Sequence, residues 1–303
     1  MDDRRIPIII DTDPGVDDFF CIAYGIAFPE VFDLKAITTI GGNNVTAVTT
    51  RNALDICKLL HSDAPVAAGH NSFLTAEFGE PVEIAHGKNG LGNVDIPHSD
   101  RKPMDKEACD VIYDIAKELN GELVLVPVGP LTNVALAIQK YPDITGLIKK
   151  ITLMGGGVER GNVNEHAEAN IWHDAEAAKI VFDSGFPIDM IGLDVTLKAP
   201  VSRADLAEMS QNTRDDVRVV MEQLIDFRRG EPMHDAVAIA TLIDDSFITW
   251  GCGSIDIIVD DPVKKGKTVF TEGKGNHRAA LKIDLPAYHR LFGEMVGRYT
   301  AEQ

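Results

Sequence analysis

The feature that most limits what this chain can fold into is an apolar run ending abruptly in acids: Ile8-Ile9-Ile10 is followed by Asp11-Thr12-Asp13-Pro14-Gly15-Val16-Asp17-Asp18. The stretch from Ile6 to Ile10, interrupted only by Pro7, is short and β-branched, as a buried parallel strand should be. Pro14-Gly15 turns the chain, and Val16 to Phe28 continues with helical spacing. Strand, tight turn and helix place the acids at the strand's carboxyl end, where open α/β sheets bind ligands. Asp17 or Asp18 alone would merely complement a helix dipole. Four adjacent carboxylates need a cation or protons to relieve their repulsion. Hard oxygen donors suit Mg²⁺ or Ca²⁺, so a divalent ion is the favoured reading.

The βα rhythm then repeats. Strands are expected at Leu34 to Ile40, Pro65 to Ala68, Glu122 to Val128, Lys150 to Met154 and Pro187 to Leu193. Helices are expected at Val45 to His61, Asp105 to Leu119, after Asn133, at Asp174 to Ser184 and across Ser202 to Arg229. Further strands near Ile255 to Val259, Thr268 to Phe270 and Ala279 to Ile283 precede a last helix. The pattern predicts an α/β fold: a single-domain, Rossmann-like, open and mostly parallel sheet flanked by helices over residues 1–303, with the active site at the strands' carboxyl ends.

Polar residues gather where these strands end. Gly41-Gly42-Asn43-Asn44 follows the second strand; it suits a solvated turn or an amide contact to a ligand. His86 lies in a long polar stretch from Gly69 to Pro103, and loops of that length are functional or disordered. Thr132 and Asn133 open a helix as caps would. Gly155-Gly156-Gly157 lacks the Lys-Ser/Thr of a phosphate loop. Asn162, Glu168 and Asn170 come next, a carboxylate and two amides suited to hydroxyls that both donate and accept. His234-Asp235 opens an apolar helix, where a lone aspartate is usually a cap.

Asp11, Asp13, Pro14, Gly15, Asp17 and Asp18 together match the Asp-x-Asp-Pro-Gly-x-Asp-Asp pattern of the inosine-uridine-preferring nucleoside hydrolase family, which the chain resembles from Ile8 to at least Ala240. Thr38 to Asn43, the His86-Gly87 loop, Met154 to Gly157 with Asn162, Ala167 to Asn170, and His234-Asp235 follow in the family's order. The resemblance implies Ca²⁺-dependent hydrolysis of the N-glycosidic bond of purine or pyrimidine ribonucleosides, in salvage or catabolism. It implies a Ca²⁺ site made by Asp13, Asp18, the Val128 backbone carbonyl and Asp235. Asp13 would be the general base and His234 would assist the leaving base. Asp17, Asn43, His86, Asn162, Glu168 and Asn170 would bind substrate, and Asp11 would support the loop. Valine at 128 departs from the commoner family residue and alanine at 169 from the bulky apolar residue of some relatives, and no aromatic lid over the base is evident beyond Phe227. Family members are commonly dimers or tetramers, so the resemblance implies a homodimer or homotetramer for this chain.

Composition narrows the alternatives. With 29 basic and 47 acidic residues the formal charge is −18, which repels nucleic acid and anionic membranes. The cysteines at 21, 57, 109 and 252 have no zinc or redox spacing. No signal peptide or membrane-length apolar run is present, so a soluble, cytoplasmic protein is expected. A haloacid-dehalogenase-like phosphatase would share Asp11-Thr12-Asp13 but leave the later motifs unused. A noncatalytic nucleoside-binding protein would not need both Asp13 and His234.

Overall fold

The computed structural model describes residues 5–300. Its strands are β1 (Ile6–Thr12), β2 (Phe32–Thr39), β3 (Val66–Ala68), β4 (Leu123–Pro127), β5 (Ile148–Met154), β6 (Ile188–Ile191), β7 (Ile248–Ile257), β8 (Thr268–Glu272) and β9 (His277–Ile283). They form one sheet in the order β3-β2-β1-β4-β5-β6-β9-β7-β8. Only β7 runs against the others. Chain order reverses between β1 and β4, and the crevice beyond their carboxyl ends is the expected binding place in such a sheet.

The helices are α1 (Val16–Ala27), α2 (Thr46–Leu59), α3 (Glu83–His86), α4 (Ala108–Leu119), α5 (Thr132–Lys140), α6 (Ala169–His173), α7 (Ala175–Asp183), α8 (Leu193–Thr196), α9 (Arg203–Met209), α10 (Asp215–Arg228), α11 (His234–Ala240) and α12 (Leu285–Gly297). Strand side chains alternate between faces. Ile8 and Ile10 therefore enter the apolar layer that α1, α10, α11 and α12 make on one face, while Ile9 enters the layer of α4, α5 and α7 on the other. All three isoleucines are fully buried, each worth roughly 1.5–3 kcal/mol. No helix among the described residues is long and apolar enough to cross a membrane.

Three segments differ from the sequence reading for local reasons. Ser202 to Arg229 is two helices, because the turn-forming run Ser210-Gln211-Asn212-Thr213 ends α9. Thr213 Oγ1 then donates to the Val296 carbonyl (2.9 Å) and the Arg214 amide to that of Tyr299 (2.7 Å), tying the break to the end of α12. β6 stops at Ile191, since Gly192 caps the short helix α8. β7 begins at Ile248, where Gly251 and Gly253 hide the alternation. A Cβ on Gly253 would lie 2.0 Å from the Thr271 carbonyl oxygen of β8, so pairing demands glycine.

The long stretch after β3 has little regular structure, yet it is tied down. Arg101 donates to the carbonyls of Ser62, Asp63 and Ala64, and the buried Asp55 carboxylate receives the Ser99 amide. Earlier in the same stretch, the Val82 amide donates to the Asn43 carbonyl and the Val16 amide to His86 Nδ1, which holds α3 and His86 over the turn after β1.

Candidate active site

The acids are arranged by the turn between β1 and α1. Asp18, in the first turn of α1, folds back to accept from the amides of Gly15 (2.9 Å) and Asp13 (3.2 Å) and from the Thr12 hydroxyl. Its carboxylate thus occupies donors that a helix start leaves unsatisfied. Asn43, beyond β2, closes the other side. Its amide N–H donates to Asp13 Oδ2 (2.7 Å), and its Nδ2 donates to the Asp13 carbonyl (3.2 Å) and to Asp18 Oδ2 (3.1 Å). Beneath them Asp11 accepts from Thr38 Oγ1 (2.6 Å) and Asn133 Nδ2 (2.8 Å), the position of a support. Asn133, a cap by its place in the sequence, instead binds this acid and the Thr39 carbonyl.

α1 packs on α11, and this contact brings Asp235 to the start of α1. One carboxylate oxygen each from Asp17, Asp18 and Asp235 lies within 4.8 Å of the others. Asp13 is outside that tight triad, but its charge is felt by Asp235 and it feels that of Asp18. Asp13 Oδ1 and Asp17 Oδ1 are buried without a hydrogen-bond partner. Such orphaned oxygens call for an explanation, and an unmodified set of hard anionic donors around them fits a divalent cation.

The protonation equilibria are divided. Burial and the neighbouring Asp18 push the Asp13 carboxyl well above the usual range. Burial and the Asp17 charge push Asp18 up to about 6, and burial with the charges of Asp17, Asp18 and Asp13 raises Asp235. Asp17 is the exception. Burial opposes its ionisation, but the opposing charges, the Arg228 guanidinium first and the two histidines when protonated, outweigh it and hold its carboxyl below the ordinary value. The histidines are held neutral: burial lowers His234 and brings His86 down to about 4.

Above the acids opens a cavity of about 500 Å³, a size usual for small-molecule sites. It is lined by Asp17, Asn43, His86, Val128, Asn162, Glu168, Asn170, His234 and Asp235, so most sequence-predicted site residues share one space. Asp13 and Asp18 are not on its wall; they lie behind it at 1 % and 0 % exposure. His86 faces Asp17 at 3.8 Å, and its Nδ1 accepts the Val16 amide (3.1 Å), which leaves the ring proton on Nε2. His234 Nδ1 pairs with Thr196 Oγ1 at 2.8 Å.

On the opposite wall several predicted ligand residues also serve the backbone. Glu168 caps α6, accepting from the amides of Gly156 (2.9 Å), Asn170 (3.0 Å) and Ile171 (3.2 Å), while burial still raises its carboxyl to about 7. Asn162 Oδ1 accepts from the Ala169 amide at 2.9 Å. Asn170 Nδ2 donates to the Val128 carbonyl (2.9 Å) and to that of Met154 (3.2 Å). The carbonyl just past β4 is thereby aimed by Asn170.

The sequence reading passed over several residues of the site. Thr12, Thr196 and Arg228 act through side-chain geometry that no motif advertises, and Trp172 and His173, to which the sequence gives no role, both line the cavity. His173 is stacked on Phe73, their rings 5.6 Å apart. Glu168 and Asn170, at the start of the same helix α6, are the available signal, since that helix faces the cavity wall.

Comparison with known proteins agrees with this geometry. The profile of the family described as inosine-uridine preferring nucleoside hydrolase matches residues 8–290. A non-specific ribonucleoside hydrolase, RihC, of Klebsiella pneumoniae is 35 % identical over 96 % of this chain and 98 % of its own length. Uridine nucleosidase 1 of Arabidopsis thaliana is 35 % identical over 88 % of this chain and 82 % of its own. Among solved structures, a purine-preferring ribonucleoside hydrolase from Gardnerella vaginalis superposes with a TM-score of 0.90 at 34 % identity, covering 96 % of this chain and 98 % of that one. Acid-bearing turn, sheet order and near-full-length similarity converge, and the chain belongs to the inosine-uridine preferring nucleoside hydrolase family.

Proposed function

We propose that this cavity hydrolyses the N-glycosidic bond of a purine or pyrimidine ribonucleoside, giving free base and ribose, with Ca²⁺ held by Asp13, Asp18, the Val128 carbonyl and Asp235. As a ribonucleoside hydrolase the protein acts on N-glycosyl compounds. The observation that carries the finer reading is the set of buried acids around the orphaned Asp13 Oδ1 and Asp17 Oδ1, directly behind a nucleoside-sized cavity. A divalent cation bound there supplies positive charge and acidifies water.

The chain's own groups divide the remaining work. Asp13 is held by the Asn43 amide through Oδ2, leaving Oδ1 to take the proton from the attacking water. Asp17, kept ionised, accepts from a sugar hydroxyl, and Asn43 and His86 close the same side. Asn170 spends its N–H groups on two carbonyls, so its amide oxygen is what it offers the sugar; Asn162 and Glu168 complete that wall. In the tautomer whose Nδ1 accepts from Thr196 Oγ1, the neutral His234 carries its proton on Nε2 and donates a hydrogen bond to the departing base.

The test is ribose and base release from a panel of ribonucleosides, with p-nitrophenyl phosphate alongside, before and after chelation and Ca²⁺ add-back. Ribose release that chelation stops and Ca²⁺ restores is expected, and Asp13→Ala should abolish it with the fold intact. Metal-independent turnover, or phosphate release without ribose, refutes the reading.

A further inference from the structure

The cavity wall made by α6 and the residues before it is polar in sequence but largely apolar in what it leaves open. Both oxygens of Glu168 already hold backbone amides, Asn162 Oδ1 holds that of Ala169, and Asn170 Nδ2 is committed to two carbonyls. Val163 and Trp172, each 42 % exposed, are the only large exposed apolar side chains among the described residues that line the cavity. Trp172 lies four residues after Glu168 and three after Ala169, its amide donating to the Glu168 carbonyl at 2.8 Å, so the three share one face of α6. Ala169 adds only a methyl group to that face, leaving the indole open to the cavity. An open indole gains from any apolar group laid against it.

We propose that this wall takes a neutral, apolar substituent at C5′, so that the site also hydrolyses 5′-deoxy-5′-alkylthio ribonucleosides to the free base and a 5-alkylthio sugar. This rests on the reading that puts the base beside His234 and the ring hydroxyls towards Asp17. With those substituents placed, a ribose has its C5′ arm left, and the wall opposite the acids is what it reaches. Water adds across the C1′–N bond as in the parent nucleoside, and the C5′–S bond stays intact. A thioether suits this wall, because sulfur and methyl pack on an indole and require neither donor nor acceptor. The hydroxyl it replaces forgoes a neutral hydrogen bond, a loss of similar size to the packing gained. A 5′-phosphate has no such compensation. Arg228, the one arginine or lysine lining the cavity, lies where Asp17, His86 and His234 feel its charge, while Glu168 stands on the wall itself.

The experiment compares kcat/KM of the protein supplied with Ca²⁺ for inosine, 5′-deoxy-5′-methylthioinosine and inosine 5′-monophosphate, with the uridine series alongside, and repeats it in Trp172→Ala and Ala169→Phe. The methylthio analogue should be cleaved within about tenfold of its parent, and the 5′-phosphate at least about a hundredfold more slowly. Trp172→Ala should lower the analogue-to-parent ratio roughly fivefold to fiftyfold, and Ala169→Phe, which puts a ring into the open space, at least about tenfold. An analogue slower than about a tenth of its parent overturns the proposal, as does a 5′-phosphate cleaved as readily as the parent. A ratio that both variants leave unchanged, whether or not the two rates fall together, shows that these residues only hold α6 and overturns it as well. Trp172 and Trp250 are the chain's two tryptophans, so binding can be read without turnover. The analogue should shift the emission to shorter wavelength as the indole loses water, and the shift should vanish in Trp172→Phe. An absent shift, or one that persists in Trp172→Phe, overturns the proposal. If neither parent nucleoside is hydrolysed, the ribohydrolase reading fails, and the emission shift alone then decides whether the wall takes the thioether.

Discussion

Asp13 is held in a slot between two backbone segments, and the slot can be closed by one methyl group. A Cβ on Gly42 would lie 2.1 Å from Asp13 Oδ2 and 2.9 Å from Pro130 Cδ, and a Cβ on Gly129 would lie 2.6 Å from Asp13 Oδ1. Ordinary contact begins near 3.4 Å, so in Gly42→Ala the carboxylate must retreat by more than an ångström, towards the Gly129 backbone that already confines it. Gly42 does not have a positive φ, so alanine adds no backbone strain and the effect is steric alone. The retreat breaks the 2.7 Å bond from the Asn43 amide and would move the proposed base away from the water it is to deprotonate. Displacing a reacting group by about 1 Å costs on the order of 10² in rate, and overpacking costs roughly 1–3 kcal/mol of stability. The assay is kcat for ribose release together with the denaturation midpoint, with Gly79→Ala, where a Cβ meets nothing within 4 Å, as the control. A folded Gly42→Ala protein with kcat within about threefold of the unmodified one would show that Asp13's position is not what sets the rate.

The raised carboxyls link metal binding to protons. With Asp18 near 6, calorimetry at pH 6 in buffers of different ionisation enthalpy should register about half a proton released from that group alone. Asp13 and Asp235 add to it, and affinity should rise with pH; heats independent of buffer would contradict this. Because these folded-state pKa values lie above the unfolded ones, the metal-free protein should lose stability as pH rises from about 4 through 6. His173 works in the opposite sense. Burial lowers it from 6.5 to about 4, so its contribution to stability falls as pH drops from about 6.5 towards 4, by up to roughly 2 kcal/mol between pH 7 and 5. His173→Phe, which keeps a ring against Phe73, should lose that part of the urea-midpoint pH dependence, and an unaltered profile would refute it.

What could be read from the sequence is what neighbours along the chain decide. Ile8-Ile9-Ile10 followed by a Pro-Gly turn and two further acids already determines strand, turn and helix, and hence acids at a strand end. The Gly251 and Gly253 half of β7 was hidden because its glycines answer to a partner strand rather than to an apolar face. Within the site the same boundary holds. The sequence shows Asn43 only as a polar residue after a strand; that its donors serve Asp13 and Asp18, 25 to 30 positions away, depends on the fold. The same holds for Asn170, whose amide nitrogen donates to the Val128 carbonyl across 42 positions. Arg228 shows the limit most plainly. In Phe227-Arg228-Arg229-Gly230 the two arginines look alike, and Gly230 signals only that a helix is ending. Arg229 takes a left-handed conformation (φ 55°) that closes α10, while Arg228, one residue earlier, is turned inward. Its Nη1 donates to the carbonyl of Ala85, 143 positions earlier, a partner that nothing in its own neighbourhood announces. Sequence patterns report the chemistry a strand end displays; which neighbours aim that chemistry is settled only when distant loops close over it.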